Sequence, residues 1–185
     1  IYLMLMKNIV NKIGIVFVLC TVTCACVSSK GIDFKKKEAQ TYNAKTNNKL
    51  DHSTWDSLLK AHVKKNGLVD YKGFTSDSDK LNEYVTYLRK QKPNDNWIFK
   101  EQLAYFINVY NANTIKLIVD NYPVESIKDI SATISPFLKK FIVVGDKELS
   151  LADVEKGILQ KMGEPRIHFA INCASISCPK LMHDA

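Results

Sequence analysis

Hydrophobic residues recur at helical spacing along much of the chain. Residues 51–65 and 77–90 each place apolar side chains on one face, which predicts two amphipathic helices. Gly67 fits the end of the first helix, and Pro93 fits the end of the second. Residues 97–120 include a stretch that is apolar on every side, and this pattern predicts a central buried helix.

The pattern changes toward the end of the chain. Residues 141–149 read as a β-hairpin with a two-residue Gly-Asp turn, and Ser150 with Asp153 is typical of a fourth helix start. Residues 166–172 alternate enough to predict a strand that runs into the core. The predicted class is therefore α+β, a mostly helical single domain with a buried central helix and a small β-sheet or hairpin.

The first 27 residues resemble an export signal. A basic start precedes the uncharged apolar run over residues 13–22, which is short for a bilayer span. Cys26 follows Ala25 at the end of this run, as in a bacterial lipoprotein signal, and predicts lipidation of Cys26, with Cys24 as the fallback. An uncleaved anchor and an ordinary secretory signal are the alternatives. Every version places the domain outside the cytoplasm, and the lipoprotein signal predicts a protein that is membrane-anchored in the bacterial cell envelope, at its periplasmic or outer surface.

Charge is concentrated in the first part of the chain. Of the formal net charge of +7, residues 1–50 contribute eight lysines and only two acidic side chains. The remainder is close to neutral, so no nucleic-acid partner is expected. Residues 28–49 are polar and Lys-rich, which predicts a flexible linker between the anchor and a domain over residues 50–185.

The segment richest in reactive side chains lies over residues 166–179. Cys173 is a candidate nucleophile and His168 a candidate base, because a thiol needs a base or a positive field for activation. On a straight strand His168 and Asn172 share a face, whereas Cys173 reaches His168 only if the chain bends after Asn172. Arg166 and Ser175 are candidate binding residues beside them.

Two structural interpretations of the same segment stay open. Cys173 and Cys178 are the two cysteines that follow the signal, and they suit a disulfide in an oxidising compartment. Zinc bound by His168, Cys173 and Cys178 is the other alternative, although no fourth ligand is evident nearby. No cofactor is otherwise expected.

The predicted central helix carries a second polar set. Glu101, Asn108 and Asn111 interrupt an otherwise apolar sequence, and such groups cost free energy unless they are hydrogen-bonded. Two roles fit them equally from the sequence. They either face a pocket, with Glu101 as a base or an orienting group, or they form a buried network that fixes helix packing.

These segments together resemble the domain of unknown function 547 family. The matching residues are 101–112 (EQLAYFINVYNA), Ser126 with Ile127, 149–155, and 166–179 (RIHFAINCASISCP). The resemblance implies no established reaction. It marks a shared polar set, retained in this chain: Glu101, Asn108, Asn111, His168, Asn172, Cys173, Ser175 and Cys178.

The chain also departs from the family pattern in two respects. Lys156 follows Glu155 where the family commonly has a histidine. The family domain usually continues beyond the Cys-Pro motif, so the resemblance implies that a C-terminal part is missing after Ala185.

Two classes of function fit the sequence. The first is a thiol-dependent hydrolase or acyl transferase, in which Cys173 attacks, His168 is the base, and Glu101 or Asn108 orients or stabilises the reacting groups. The alternative is a non-catalytic binding or scaffold domain stabilised by a Cys173–Cys178 disulfide. Its expected partners are the membrane, through the N-terminal anchor, and an unidentified protein or small molecule.

Overall fold

Helices dominate the part of the chain that the computed structural model describes, which is residues 27–37, 50–94, 96–175 and 177–185. The α-helices are α1 (Ser53–His62), α2 (Tyr71–Ser76), α3 (Ser78–Lys90), α4 (Phe99–Val119) and α5 (Ile167–Ala170). A π-helix at Asp153–Ile158 continues into a 3-10 helix at Leu159–Met162, and another 3-10 turn lies at Ile127–Ile130. Strands β1 (Ile142–Val144) and β2 (Lys147–Leu149) pair antiparallel. The predicted mostly helical α+β class is confirmed.

Helix α4 forms the centre of the domain, as its sequence predicts. It packs against α2, α3 and the π-helix, so apolar side chains are buried around most of its circumference. Tyr105 is fully buried between these elements, and its hydroxyl donates to the backbone carbonyl of Leu88 at 3.0 Å. A buried hydroxyl needs such a partner, so this bond ties α4 to the end of α3.

The connection between α1 and α3 contains a helix that the sequence pattern did not predict. After α1 the chain turns through Gly67, whose φ of +83° favours glycine, and Val63 bridges to Val69. Helix α2 then begins at Tyr71, because the Asp70 side chain accepts a hydrogen bond from the Gly73 amide at 3.0 Å.

The hairpin and the following helix start match their predictions. Gly145 has a φ of +61° in the two-residue turn between β1 and β2. Ser150 and Asp153 form a reciprocal cap: the Ser150 amide donates to the Asp153 carboxylate at 3.0 Å, and the Asp153 amide donates to the Ser150 hydroxyl at 3.1 Å. The helix that follows is a π-helix and then a 3-10 helix, and it ends at Gly163.

The predicted strand over residues 166–172 is wrong. The chain forms the short helix α5 there, after a turn at Pro165 and Arg166. No neighbouring strand pairs with this segment within the described ranges, and its backbone bonds instead to a side chain of α4. His168 and Asn172 therefore do not share the face of a strand.

Residues 28–37, which we call the N-terminal strap, lie against the domain where a flexible linker was expected. Ile32 is buried in the core, and the Ser28 amide donates to the buried carboxylate of Asp153 at 3.1 Å. The Lys35 amide donates to the side-chain oxygen of the fully buried Gln102 at 2.7 Å. The structure therefore differs from the linker prediction over these ten residues.

The predicted export segment and the lipidation residue Cys26 lie outside the described residues, as do residues 38–49 of the predicted linker. Among the residues that are described, no helix is both long enough and apolar enough to cross a bilayer.

Candidate functional site

Asn111 on α4 joins the central helix to the segment that follows α5. Its side-chain amide donates to the carbonyl of Ala170 at 2.9 Å, and its side-chain oxygen accepts from the amide of Asn172 at 2.9 Å. These two partners also fix which end of the side chain is oxygen, since a backbone amide must meet an acceptor. Asn111 is 5% exposed, so the predicted polar position has a structural role as a backbone clamp.

Asn172 bonds in turn to the backbone of the following segment, residues 173–178, which we call the cysteine loop. Its side-chain amide donates to the carbonyl of Pro179 at 2.8 Å, and its side-chain oxygen accepts from the amide of Ala174 at 2.9 Å. One asparagine thus holds both ends of the loop, while Asn111 holds the chain just before it. The two side chains have used their hydrogen-bonding groups on the backbone, which favours a positioning role over direct contact with a substrate.

A disulfide joins Cys173 to Cys178 across this loop. Their Cα atoms are 6.2 Å apart, and the Cys173 amide lies 3.3 Å from the Cys178 sulfur. Ala174 has a φ of +58°, a left-handed conformation that a non-glycine residue rarely adopts and that tightens the turn. In this form neither sulfur is a free thiol that can attack a substrate.

The other candidates in this segment are not brought together with Cys173. His168 is exposed on α5, and its ring forms no hydrogen bond with the described part of the chain. Arg166 forms an ion pair with the buried carboxylate of Glu164, with its Nε at 2.8 Å from Oε1. Ser175 is exposed, and its hydroxyl lies 3.1 Å from the hydroxyl of Ser177. A catalytic dyad of Cys173 and His168 is therefore not formed in this structure.

Glu101 lies in the first turn of α4 with both carboxylate oxygens shielded from solvent. Neither oxygen accepts a well-formed hydrogen bond from a described residue. Burial raises the pKa of the Glu101 carboxyl, and the nearby backbone amide of Leu50 opposes this shift only in part. A carboxyl with a raised pKa is suited to proton transfer, but no candidate nucleophile contacts it.

The pH dependence of stability tests the burial of Glu101. The folded protein resists ionisation of a carboxyl whose pKa is raised by folding. The free energy of unfolding therefore falls as the pH rises from the ordinary pKa of 4.5 to the pKa in the folded state. Glu101→Gln removes that charge, so we expect the variant to be more stable than wild type by about 1 kcal/mol at pH 7. At pH 4 the difference should vanish. Urea unfolding at both pH values measures it, and an equal difference at both would contradict the assignment.

A small cavity lies between α1, α4 and residues 181–185. Its volume is about 210 Å³, and its apolar walls include Leu59, Ile107 and Leu181. Two residues with polar side-chain groups, Trp55 and Asn108, also line it. The indole nitrogen of Trp55 is buried and donates no hydrogen bond among the described residues. Asn108 is 4% exposed and forms no side-chain hydrogen bond with them either.

The buried indole nitrogen of Trp55 belongs to a residue that lines this cavity. Buried amide and indole groups almost always have a hydrogen-bonding partner, in the protein or in bound molecules. The predicted candidate Asn108 therefore lines the cavity, whereas Asn111 touches both the cavity and the loop backbone. Sequence reasoning missed Trp55, because an apolar helix face predicts a core residue and says nothing about its N–H group.

The zinc alternative has little support in the geometry. No group of three or more His, Cys, Asp and Glu side chains is placed to hold a metal within residues 27–37, 50–94, 96–175 and 177–185. Both sulfurs of the proposed ligand set are joined to each other. A thiolate must be free to bind the ion, so this set fits zinc only after reduction.

The fold and the site define a mostly helical α+β domain in which a cross-linked loop is docked on a central helix. Residues 94–183 match the model of a family described as "Protein of unknown function, DUF547". The matched stretch contains α4 and the whole cysteine loop, and it amounts to just under half of the chain. Comparisons with curated proteins and with solved structures gave no significant match.

Proposed function

We propose that the chain is an exported member of the DUF547 family and that its domain binds a small ligand without catalysing a reaction. The observation that carries the proposal is the cavity beside α4, which Asn108 and Trp55 line and where the Trp55 indole nitrogen is buried without a described partner. A ligand that bonds to Asn108 and also reaches the Trp55 N–H group would recover the free energy that the unsatisfied indole group costs.

The cysteine loop supports a structural role. Cys173 is joined to Cys178, and Asn111 and Asn172 direct their side chains to the loop backbone. His168 is exposed and does not contact Cys173. We therefore favour the disulfide-stabilised binding domain over the thiol-dependent hydrolase or acyl transferase, which requires a reduced Cys173 and a rearranged His168.

The cavity restricts the chemical class of the ligand. A volume of about 210 Å³ corresponds to about seven water molecules, or to one organic molecule of about ten non-hydrogen atoms. The Trp55 N–H group requires an acceptor, and the Asn108 amide accepts and donates. With the apolar walls around them and the Asp184 carboxylate at one side, which disfavours an anion, these groups suit a small molecule that carries carbonyl or hydroxyl groups and no net negative charge.

The proposal predicts a selective change in the Trp55 indole N–H resonance when such a molecule binds. The chain has two tryptophans, so a proton–nitrogen correlation spectrum shows two indole signals. Amino acids, dipeptides and monosaccharides serve as the probes. We expect at least one of these classes to shift the Trp55 signal in a saturable way and to leave the Trp97 signal in place.

Two variants make the binding test specific. Trp55→Phe assigns the signal, and Asn108→Leu fills part of the cavity and removes its amide, so it should abolish the saturable shift. If no probe shifts the Trp55 signal and Asn108→Leu stabilises the fold, the cavity is a packing defect and the proposal fails.

We also propose a lipid anchor on Cys26, which places the domain at the envelope membrane. The support is the sequence alone: a basic start, an uncharged apolar run, and a small residue before the cysteine. Mass spectrometry of the exported protein tests it, because lipidation makes Cys26 the modified N-terminal residue. An unmodified N-terminus, or a mass that retains the signal, would contradict the anchor.

A further inference from the structure

The N-terminal strap is fixed to the domain at its first residues. The Ser28 amide donates to Asp153, which is 1% exposed, and the Lys30 ammonium lies 3.7 Å from the same carboxylate. Burial alone would raise the pKa of Asp153, but hydrogen bonds from Ser150 and Ser28 outweigh burial and lower it. The carboxylate is therefore charged at neutral pH and holds the strap.

Close packing at Gly157 strengthens this attachment. A Cβ atom at Gly157 would lie 2.5 Å from the carbonyl oxygen of Ser28 and 3.1 Å from the Ser29 nitrogen. Only glycine leaves room for the strap backbone to cross the π-helix at this point.

The strap is also held along its length. Ile32 is buried in the core, and the Lys35 amide bonds to Gln102, whose side-chain nitrogen donates in turn to the carbonyl of Asn94 at 2.9 Å. At the far end the Lys37 ammonium lies 3.1 Å from the buried carboxylate of Glu164. The contacts are thus spread over ten residues, and a strap fixed in this way cannot act as a flexible spacer.

We propose that the strap holds one side of the domain directly against the membrane surface. This side, the π-helix face, is the one that carries the π-helix at Asp153–Ile158. This inference rests on the proposed lipid anchor at Cys26, which is two residues before Ser28. Two residues span at most about 7 Å, so a lipid on Cys26 would keep Ser28 and the π-helix beneath it at the headgroup layer. The partner of this face is a bilayer that contains anionic lipid.

The charge around the strap fits such a surface. Exposed lysines lie on the strap and on the helix it crosses, and the carboxylates of Asp153 and Glu164 are buried and already paired. The exposed members of this set are Lys36, Lys37, Lys156 and Lys161. Lysines near an anionic headgroup layer attract it, and on the strap only the exposed carboxylate of Asp33 opposes them.

Site-specific quenching tests the orientation in the full-length lipidated protein. A fluorophore is placed on Lys161→Cys, near the strap, or on Lys72→Cys of α2, which packs against α1 and α4. The protein is inserted into phosphatidylethanolamine–phosphatidylglycerol vesicles that carry a headgroup quencher. We expect several-fold stronger quenching at position 161 than at position 72.

Two variants release the strap and should equalise the quenching at the two positions. Gly157→Val places a side chain against the Ser28 carbonyl, and Ser28→Pro removes the amide that bonds to Asp153 without changing a core residue. Equal quenching at both positions in the lipidated protein without these changes would overturn the proposal.

Separate measurements distinguish failure of the strap from failure of the anchor. Slow hydrogen exchange of the Ser28 and Lys35 amides is expected if the strap is docked in solution. If these amides exchange at the rate of an unfolded chain, the strap is not docked on the domain, and the proposal fails even with a lipid on Cys26. If the amides are protected but Cys26 carries no lipid, the proposed contact with the membrane is wrong. The ligand-binding proposal is unaffected by that result.

Discussion

Asn111→Ala is expected to destabilise the domain by about 2–3 kcal/mol, because it removes two hydrogen bonds and leaves a gap beside the loop. The carbonyl of Ala170 and the amide of Asn172 would lose their partners together. Urea unfolding measures the loss. Since the clamp holds the chain that enters the cysteine loop, the amides of residues 172–175 should also exchange faster.

Asn121→Ala provides the matched control. Its side chain also bonds to a backbone carbonyl, that of Leu117 at 2.7 Å, but it is exposed just beyond α4 and forms no other side-chain hydrogen bond within the described part of the chain. We expect a change within about 0.5 kcal/mol. If both substitutions cost the same, Asn111 does not clamp the loop, and its buried position needs another explanation.

Cys178→Ser is expected to cost about 2 kcal/mol of unfolding free energy. The Cys173–Cys178 disulfide closes a short loop, for which chain entropy alone predicts a loss of this size. The reductant-treated wild type should melt with the variant, since both lack the cross-link. The measurement is thermal unfolding of oxidised, reduced and substituted protein at one pH.

A different outcome would favour the enzyme hypothesis. If Cys178→Ser melts like the wild type and reductant has no effect, the two cysteines are not cross-linked in solution. Cys173 would then be a free thiol next to a loop that Asn172 holds at both ends, and a screen for hydrolase or acyl transferase activity would be justified, with Cys173→Ala as the inactive variant.

The sequence predicted the structure correctly for elements whose own side chains determine their conformation. The buried helix α4 follows from its apolar surface, and the Ser150–Asp153 cap follows from two residues at fixed spacing. The same kind of pattern failed for α5, because four residues are too few to show a helical period. The conformation there depends on bonds from Asn111, which is about 60 residues away in the chain.

Backbone contacts explain the other large difference from prediction. The strap is polar and Lys-rich, so its composition indicates a linker, yet it docks through the amides of Ser28 and Lys35. No side-chain pattern reveals which backbone amides meet buried acceptors. Asp153 and Gln102 are the acceptors, and only their burial in the folded domain shows that each needs a distant partner.

The candidate site was predicted in part. Of the polar positions on α4, Asn111 lies at the contact with the chain that enters the cysteine loop, and the roles of the others differ from its role. Asn111 and Asn172 bind the backbone, Asn108 lines a cavity, and the carboxylate oxygens of Glu101 are shielded from solvent near the Leu50 amide. Such differences depend on three-dimensional neighbours, which spacing along one helix does not specify.

The central claim is that the cysteine loop is a cross-linked structural element beside a binding cavity. The most direct test is the redox state of Cys173 and Cys178 in the exported full-length protein, by thiol labelling and intact mass with and without reductant. The account predicts no labelled thiol before reduction and a mass that rises by two hydrogens afterwards. Two thiols that label without reductant, one of them fast below pH 7, would contradict it and indicate a reactive Cys173.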